Sequence, residues 1–471
     1  MNKQSFPWKA FLKKLAVIAI PIALQNLLTT TAGIVDTVMV SSLKDNSTGA
    51  LGLCVQFSSL MFSCYWGFVG GGMLFFSQYW GARDDEGIEH SYGLTFTCMM
   101  TVSVIFATMA TFFPDTIMRL YTDKPELQAI GRDYLKIVGI AYILQVYSTC
   151  MSTVLRATER VVIPLVASIV SVASNIFLNW VFIYGNLGAS AMGVSGAALA
   201  TSIAAGINVL VTLIYAAIKR YPYIFRIRGH FRWTRESVRL FLKKCFPIIC
   251  NEVLLGIGNL IIGITFGRQP KEVIDAFAVF RTLEGLVIGF FSGFSSASSV
   301  IAGTNIGAGE HRKAYDCAIR VIYLCSAFIA VSGGVIFAFH GPIFRLMNQS
   351  GAAFDACRTM LGIYLIAAVI RMGNWIMNDT YRASGDAITG TTLEIVFMYA
   401  LLMPAVLITG FVIKAPYWVI FICCYIDEPI RYVIMQIHLY SGKWIRPVTD
   451  IGREKLPAFM AELKQRRKEA V

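Results

Sequence analysis

The chain contains twelve apolar runs, and each is long enough to cross a bilayer. A helix rises about 1.5 Å per residue, so roughly 20 apolar residues span a hydrocarbon core of about 30 Å. The runs lie near 13–42, 49–80, 88–113, 127–157, 161–184, 193–218, 240–266, 273–306, 314–340, 353–383, 388–413 and 416–440. With 56% hydrophobic and 15% charged residues, the composition excludes a soluble core. Only helices or closed barrels satisfy the backbone inside lipid, and runs this long are helical. The expected class is therefore an all-α integral membrane protein.

An even number of spans puts both termini on one side. Segments on that side hold 28 of the 41 Lys and Arg, which makes it the cytoplasmic side of a plasma membrane by the positive-inside rule. The net charge of +13 is thus explained by topology and membrane lipid, with no nucleic acid as partner. The expected organisation is an interfacial segment at 1–12, a first lobe at 13–218, a cytoplasmic linker at 219–239, a second lobe at 240–440 and a basic tail at 441–471. The opening MNKQSFPWKAFLKK has no small-residue cleavage site and reads as a helix in the membrane interface. In the tail, Phe459, Met460 and Leu463 fall on one helical face. The eleven cysteines show no metal or redox spacing and read as small buried apolar groups.

The sequence repeats at a constant offset. Pro21 matches Pro247, Gly81-Ala82 matches Gly307-Ala308, and Arg156-Ala157 matches Arg382-Ala383, each 226 residues apart and at the same place in its span. Six spans separate the copies, so they run the same way through the membrane and form two pseudo-symmetric six-helix lobes. Pro21 and Pro247 are the expected kinks of spans one and seven.

Charge inside the spans marks the candidate sites. Asp36 lies roughly 11 Å below the polar end of span one at Lys44. A carboxylate there costs about 3 kcal/mol on insertion scales. No Lys, Arg or His lies within four residues of it, so it must be protonated, bound to a cation or facing a wet cavity. Asn175 and Asn179 in span five share one face, and Thr201 in span six lies at a similar depth. These four side chains could hold a hydrated Na⁺ or share a proton; the amides and the hydroxyl could also serve only as bonds between helices. In the second half Arg281 and Glu284 are spaced to neutralise each other. Arg371 needs a partner from another span, with Glu252 and Glu284 as candidates. Glu252 or Asp379 could face a cavity and attract a cation; an internal ion-pair cluster is the alternative. Trp66, Phe290, Phe291, Trp375 and Met377 could wall such a cavity or simply pack helices. No phosphate loop, nucleophile–base pair or zinc motif is present, so no cofactor and no enzymatic activity are expected.

The motifs SQYWGA (Ser77–Ala82), AGTNIGA (Ala302–Ala308), LRATERVVIP (Leu155–Pro164), NIFLNWVFIYG (Asn175–Gly185), GVSGAALAT (Gly193–Thr201) and YRASGD (Tyr381–Asp386) resemble the multidrug and toxic compound extrusion (MATE) family over residues 10–440. The resemblance implies two six-helix lobes and export of amphipathic organic cations, driven by H⁺ or Na⁺. By resemblance, Pro21, Asp36, Asn175 and Thr201 match family positions, and Glu252 matches one branch. Many relatives carry an aspartate at Asn179. The expected activity is multidrug antiport by a monomer acting on small-molecule drugs. The runner-up is a lipid-linked oligosaccharide flippase of the same superfamily, which the intramembrane arginines would suit.

Overall fold

The computed structural model describes residues 6–43, 47–347 and 349–470. Lys44, the polar end assigned to span one, and residues 1–5 of the expected interfacial segment lie outside them. Among the described residues there is no strand. The twelve spans form Trp8–Ser41, Ser47–Ala82, Asp85–Phe112, Pro125–Ala157, Val162–Tyr184, Val194–Ile218, Arg235–Phe266, Lys271–Gly307, His311–Ala338, Gly351–Ala383, Ala387–Val412, and a last span in two pieces, Tyr417–Cys423 and Glu428–Ser441. Ten are long and apolar enough to cross a membrane by those criteria alone. Span eight, Lys271–Gly307, is not among these ten, and span twelve is broken into two short pieces. Residues 8–12 are the first turns of span one, not a separate helix.

Two structural details depart from the regular helices that the apolar runs suggest. Span eleven contains two π-helical stretches, Met398–Leu402 and Ile408–Val412, on either side of Pro404. A proline has no N–H to give the ladder, and a wider turn accommodates the mismatch. Span twelve stops at Cys423 and resumes at Glu428. Pro429 sits in the first turn of the second piece, where its missing N–H costs nothing and its ring disfavours helix through Tyr425.

The chain divides into two compact units. One comprises Pro21–Trp80 and Asp84–Ile249; the other comprises the residues before Pro21, Gly81–Arg83 and Cys250 onward. The divisions fall immediately before Pro21 and two residues after Pro247. Both prolines lie inside continuous helices. Within the first unit Gly71 presses against Cys245 and Gly196 against the Phe182 backbone, so small residues let these helices approach closely.

In the second unit the segment after span twelve folds back over the ends of its own spans. Arg446 N donates to Ser384 O at 2.9 Å, and the Arg446 guanidinium lies 3.0 Å from buried Asp386, which also meets His438 at 2.8 Å. The Thr449 hydroxyl donates to Gly307 O at 2.9 Å, and the helix Asp450–Ala470 buries Phe459 and Leu463. Gly385 has φ +93°, and a Cβ there would lie 2.1 Å from the Arg446 carbonyl oxygen. Gly385→Ala should cost about 1–3 kcal/mol in strain and displace this strap. Limited trypsin digestion tests it, with faster cleavage after Lys443 expected.

Candidate functional site

Each unit contains a polar constellation within its spans. In the first unit, the periodicity of span five sets Asn175 and Asn179 one turn apart. The Asn179 amide donates to Asp36 Oδ1 at 2.5 Å and to Asn175 Oδ1 at 3.2 Å. The Asn175 amide in turn reaches Thr201 Oγ1 at 3.5 Å. The four side chains singled out from sequence therefore form one file across spans one, five and six. Asn175 and Asn179 are buried, while Asp36 is partly accessible. Among the described residues no Lys, Arg or His lies within 4.0 Å of the Asp36 carboxylate. Its partner is a neutral amide, which donates a hydrogen bond but carries no countercharge.

A second cluster in this unit was not assigned from sequence. Arg156, at the end of span four, donates to Gln25 Oε1 at 2.6 Å and to Asn26 Oδ1 at 3.2 Å, and Gln25 donates on to Ser168 at 3.0 Å. Adding the 226-residue offset turns Gln25, Asn26 and Arg156 into Asn251, Glu252 and Arg382. The second unit uses that same arrangement with a carboxylate. Arg382 meets Glu252 at 3.2 Å, Asp379 at 3.6 Å and Glu394 at 3.9 Å.

From Arg382 the second constellation extends as a chain of alternating charge. Glu394 meets Arg431 at 3.5 Å, and Arg431 meets Glu428 at 2.6 Å. Glu428 lies 3.8 Å from Arg371, which is 2.5 Å from Glu284; Arg281 closes the file at 2.8 Å from Glu284. The partner of Arg371 is thus Glu284 and not Glu252. Arg281, Glu284 and Arg371 form one end, Glu252 and Asp379 the other. The connecting groups, Arg382, Glu394, Glu428 and Arg431, were visible as span charges or motif residues but not as a site. A stronger signal was available: Arg371, Asn374, Asn378 and Arg382 follow at intervals of three, four and four, a single polar face on span ten.

The carboxylates are not equally satisfied. Glu284 has two arginines. Glu428 has Arg431 and the Asn374 amide at 2.7 Å. Glu394 accepts from Asn251 at 2.9 Å and Asn378 at 2.8 Å, besides its two arginines. Glu252 and Asp379 share what remains of Arg382, with the Ser295 hydroxyl donating to Asp379 at 2.6 Å and the Trp375 indole N–H donating to it as well. Asp379 is also the most accessible acid of the file, its side chain 26% exposed, with Glu252 at 19% beside Glu394 at 18% and Glu284 at 3%. An entering cation would find its least committed anions at Glu252 and Asp379. Of the aromatic residues considered, Phe290 and Phe291 join a ring cluster with Phe294 and Phe328 at 5.3–6.1 Å. Trp66 stacks on Phe62 at 4.7 Å, and Met377 is fully buried.

The MatE family model matches residues 21–181 and again 247–408. The two matches begin at Pro21 and Pro247, the same 226-residue offset, and together cover well over half of the chain. The chain belongs to the MATE family. It is a membrane transporter and not an enzyme. Among the relatives of this chain, the uncharacterized transporter YisQ of Bacillus subtilis is 22% identical over 88% of this chain and 91% of its own. The probable multidrug resistance protein NorM of Thermotoga maritima is 20% identical over 92% and 93%. A mutant of the Vibrio cholerae MATE transporter VcmN superposes with a TM-score of 0.84 at 16% identity, covering 94% of this chain and 99% of that one. MATE in complex with MaL6 gives 0.82 at 18% identity over 92% and 97%. The fold is that of the MATE transporters, twelve transmembrane helices in two six-helix lobes.

Proposed function

We propose that this protein is a secondary-active multidrug exporter of the cell membrane. It acts as a monomer with both termini cytoplasmic and exchanges amphipathic organic cations for H⁺ or Na⁺. The observation that carries the reading is Asp36: a carboxylate in a membrane span whose partner is an amide and which, among the described residues, no basic side chain meets. Such a group has a reason to bind and release a small cation. Asn179, Asn175 and Thr201 then supply oxygens or relay a proton. In the second unit, Glu252 and Asp379 are the acids for which an organic cation would compete with Arg382. The excess of Lys and Arg on the termini's side supports the orientation. Relatives named probable multidrug resistance protein YoeA and multidrug export protein MepA support the substrate class.

One observation favours the lipid-linked oligosaccharide flippase: among the described residues Arg156 is held by amide oxygens and by no carboxylate, and could face an anion. Against it, Arg281, Arg371, Arg382 and Arg431 are all committed to carboxylates. Purified protein in proteoliposomes separates the two readings. An imposed H⁺ or Na⁺ gradient should drive ethidium across the bilayer, and the gradient that works names the ion. Movement of a fluorescent lipid-linked oligosaccharide, with no gradient-driven ethidium flux, would overturn the antiporter.

A further inference from the structure

The break in span twelve places one carboxyl group where the transport reading does not use it. Between Cys423 and Glu428 the helical ladder gives way to tighter bonds: Tyr425 N to Ile422 O at 3.0 Å, Ile426 N to Cys423 O at 3.4 Å and Glu428 N to Tyr425 O at 3.2 Å. Asp427 is the last residue of this turn and is 2% exposed. Its Oδ1 is buried with no hydrogen-bond partner among the described residues, and so is Arg431 Nε beside it. Its Oδ2 lies 3.7 Å from Arg431 Nη1. Interrupted helices are where membrane transporters bind ions within the bilayer.

The charges around Asp427 are already allocated. Arg431 lies closer to Glu428 (2.6 Å) and Glu394 (3.5 Å) than to Asp427. Arg371, on span ten, belongs to Glu284 and reaches only Glu428. The groups facing Asp427 are therefore Arg431 and Glu428 from its own span, Arg371 from span ten, and Glu394 from span eleven through Arg431. Six carboxylates (Glu252, Glu284, Asp379, Glu394, Asp427, Glu428) share four arginines, so with every group ionised the file carries two uncompensated negative charges. Glu284, Glu394 and Glu428 have strong donors. The deficit falls on Glu252, Asp379 and Asp427, and Asp427 is the most buried of the three.

We propose that Asp427 is a proton-binding site at the break in span twelve, linked to the Glu252–Asp379 pair through Arg382, Glu394 and Arg431. The linkage has a defined sign. A cation at Glu252 and Asp379 frees Arg382 for Glu394. Glu394 then holds Arg431 less, and Arg431 swings toward Asp427. The approaching guanidinium makes the carboxylate the better state, so the Asp427 O–H bond breaks and its proton leaves to bulk water. The proton site is independent of the antiport reading; only the use of the linkage in transport rests on it.

Infrared spectroscopy of full-length protein in nanodiscs, labelled with ¹³C-aspartate and given no substrate, tests both parts. The isotope-shifted band of protonated aspartic acid at neutral pH should lose one carboxyl per chain in Asp427→Asn. It should lose the same amount in Asp427→Glu, whose new carboxyl is unlabelled and which keeps the test valid if the amide variant does not fold. Full intensity in either folded variant would overturn the site. In Glu252→Gln the part of the band owed to Asp427 should titrate at lower pH than in wild type, because Arg382 is freed permanently. An unchanged midpoint would overturn the linkage while leaving the antiport reading standing.

Discussion

Asp36→Asn should abolish ion-coupled efflux and leave the protein folded. The asparagine keeps the size of the side chain and an oxygen that accepts the Asn179 hydrogen bond, so little stability changes. What it removes is the only group in the Asp36–Asn179–Asn175–Thr201 file that can gain and lose charge. A coupling free energy of about 3 kcal/mol between ion and substrate corresponds to roughly a hundredfold change in affinity. Gradient-driven ethidium efflux should fall by about that factor, while thermal stability in detergent stays near wild type. The measurement is dye efflux from energised cells or vesicles at matched expression.

The second large effect is on stability. Arg431 is 8% exposed and serves Glu428, Glu394 and Asp427 together. Arg431→Met keeps much of the bulk but leaves buried carboxylates without their cation. Removing one partner of a buried pair costs about 3–5 kcal/mol, so the variant should show a large loss of folded yield and a lowered melting temperature. The double variant Arg431→Met, Glu428→Gln should be less destabilised than the sum of its single variants, because the second change neutralises one of the stranded acids. Additive losses measured by thermal unfolding would mean that Glu428 does not depend on Arg431.

The contrast between these two residues also explains what was legible in the sequence. Asp36 could be found because a lone acid in an apolar run has no local countercharge, and Asn175 and Asn179 because their spacing places them on one face. The repeat was legible because Pro21, Gly81 and Arg156 recur at one offset. The ion-pair file was not, because its links join spans seven, eight, ten, eleven and twelve, and linear spacing does not choose among acids of other helices. Arg371 had two candidate partners from sequence, and packing selected Glu284. The break before Glu428 was hidden for a different reason. Residues 416–440 are apolar enough to pass for one helix, and Pro429 is equally at home in the first turn of a new one. The π-helical turns beside Pro404 have no periodic signature at all.

The central claim is that Asp36 exchanges a small cation for the organic one. The direct test is ion release from purified protein. Tetraphenylphosphonium is added at weakly buffered pH, or after loading with radioactive Na⁺, and the H⁺ or Na⁺ set free is counted. Wild type should release one of the two ions on binding, and Asp36→Asn should release measurably less. Equal release from wild type and variant, or none from wild type, would contradict the account.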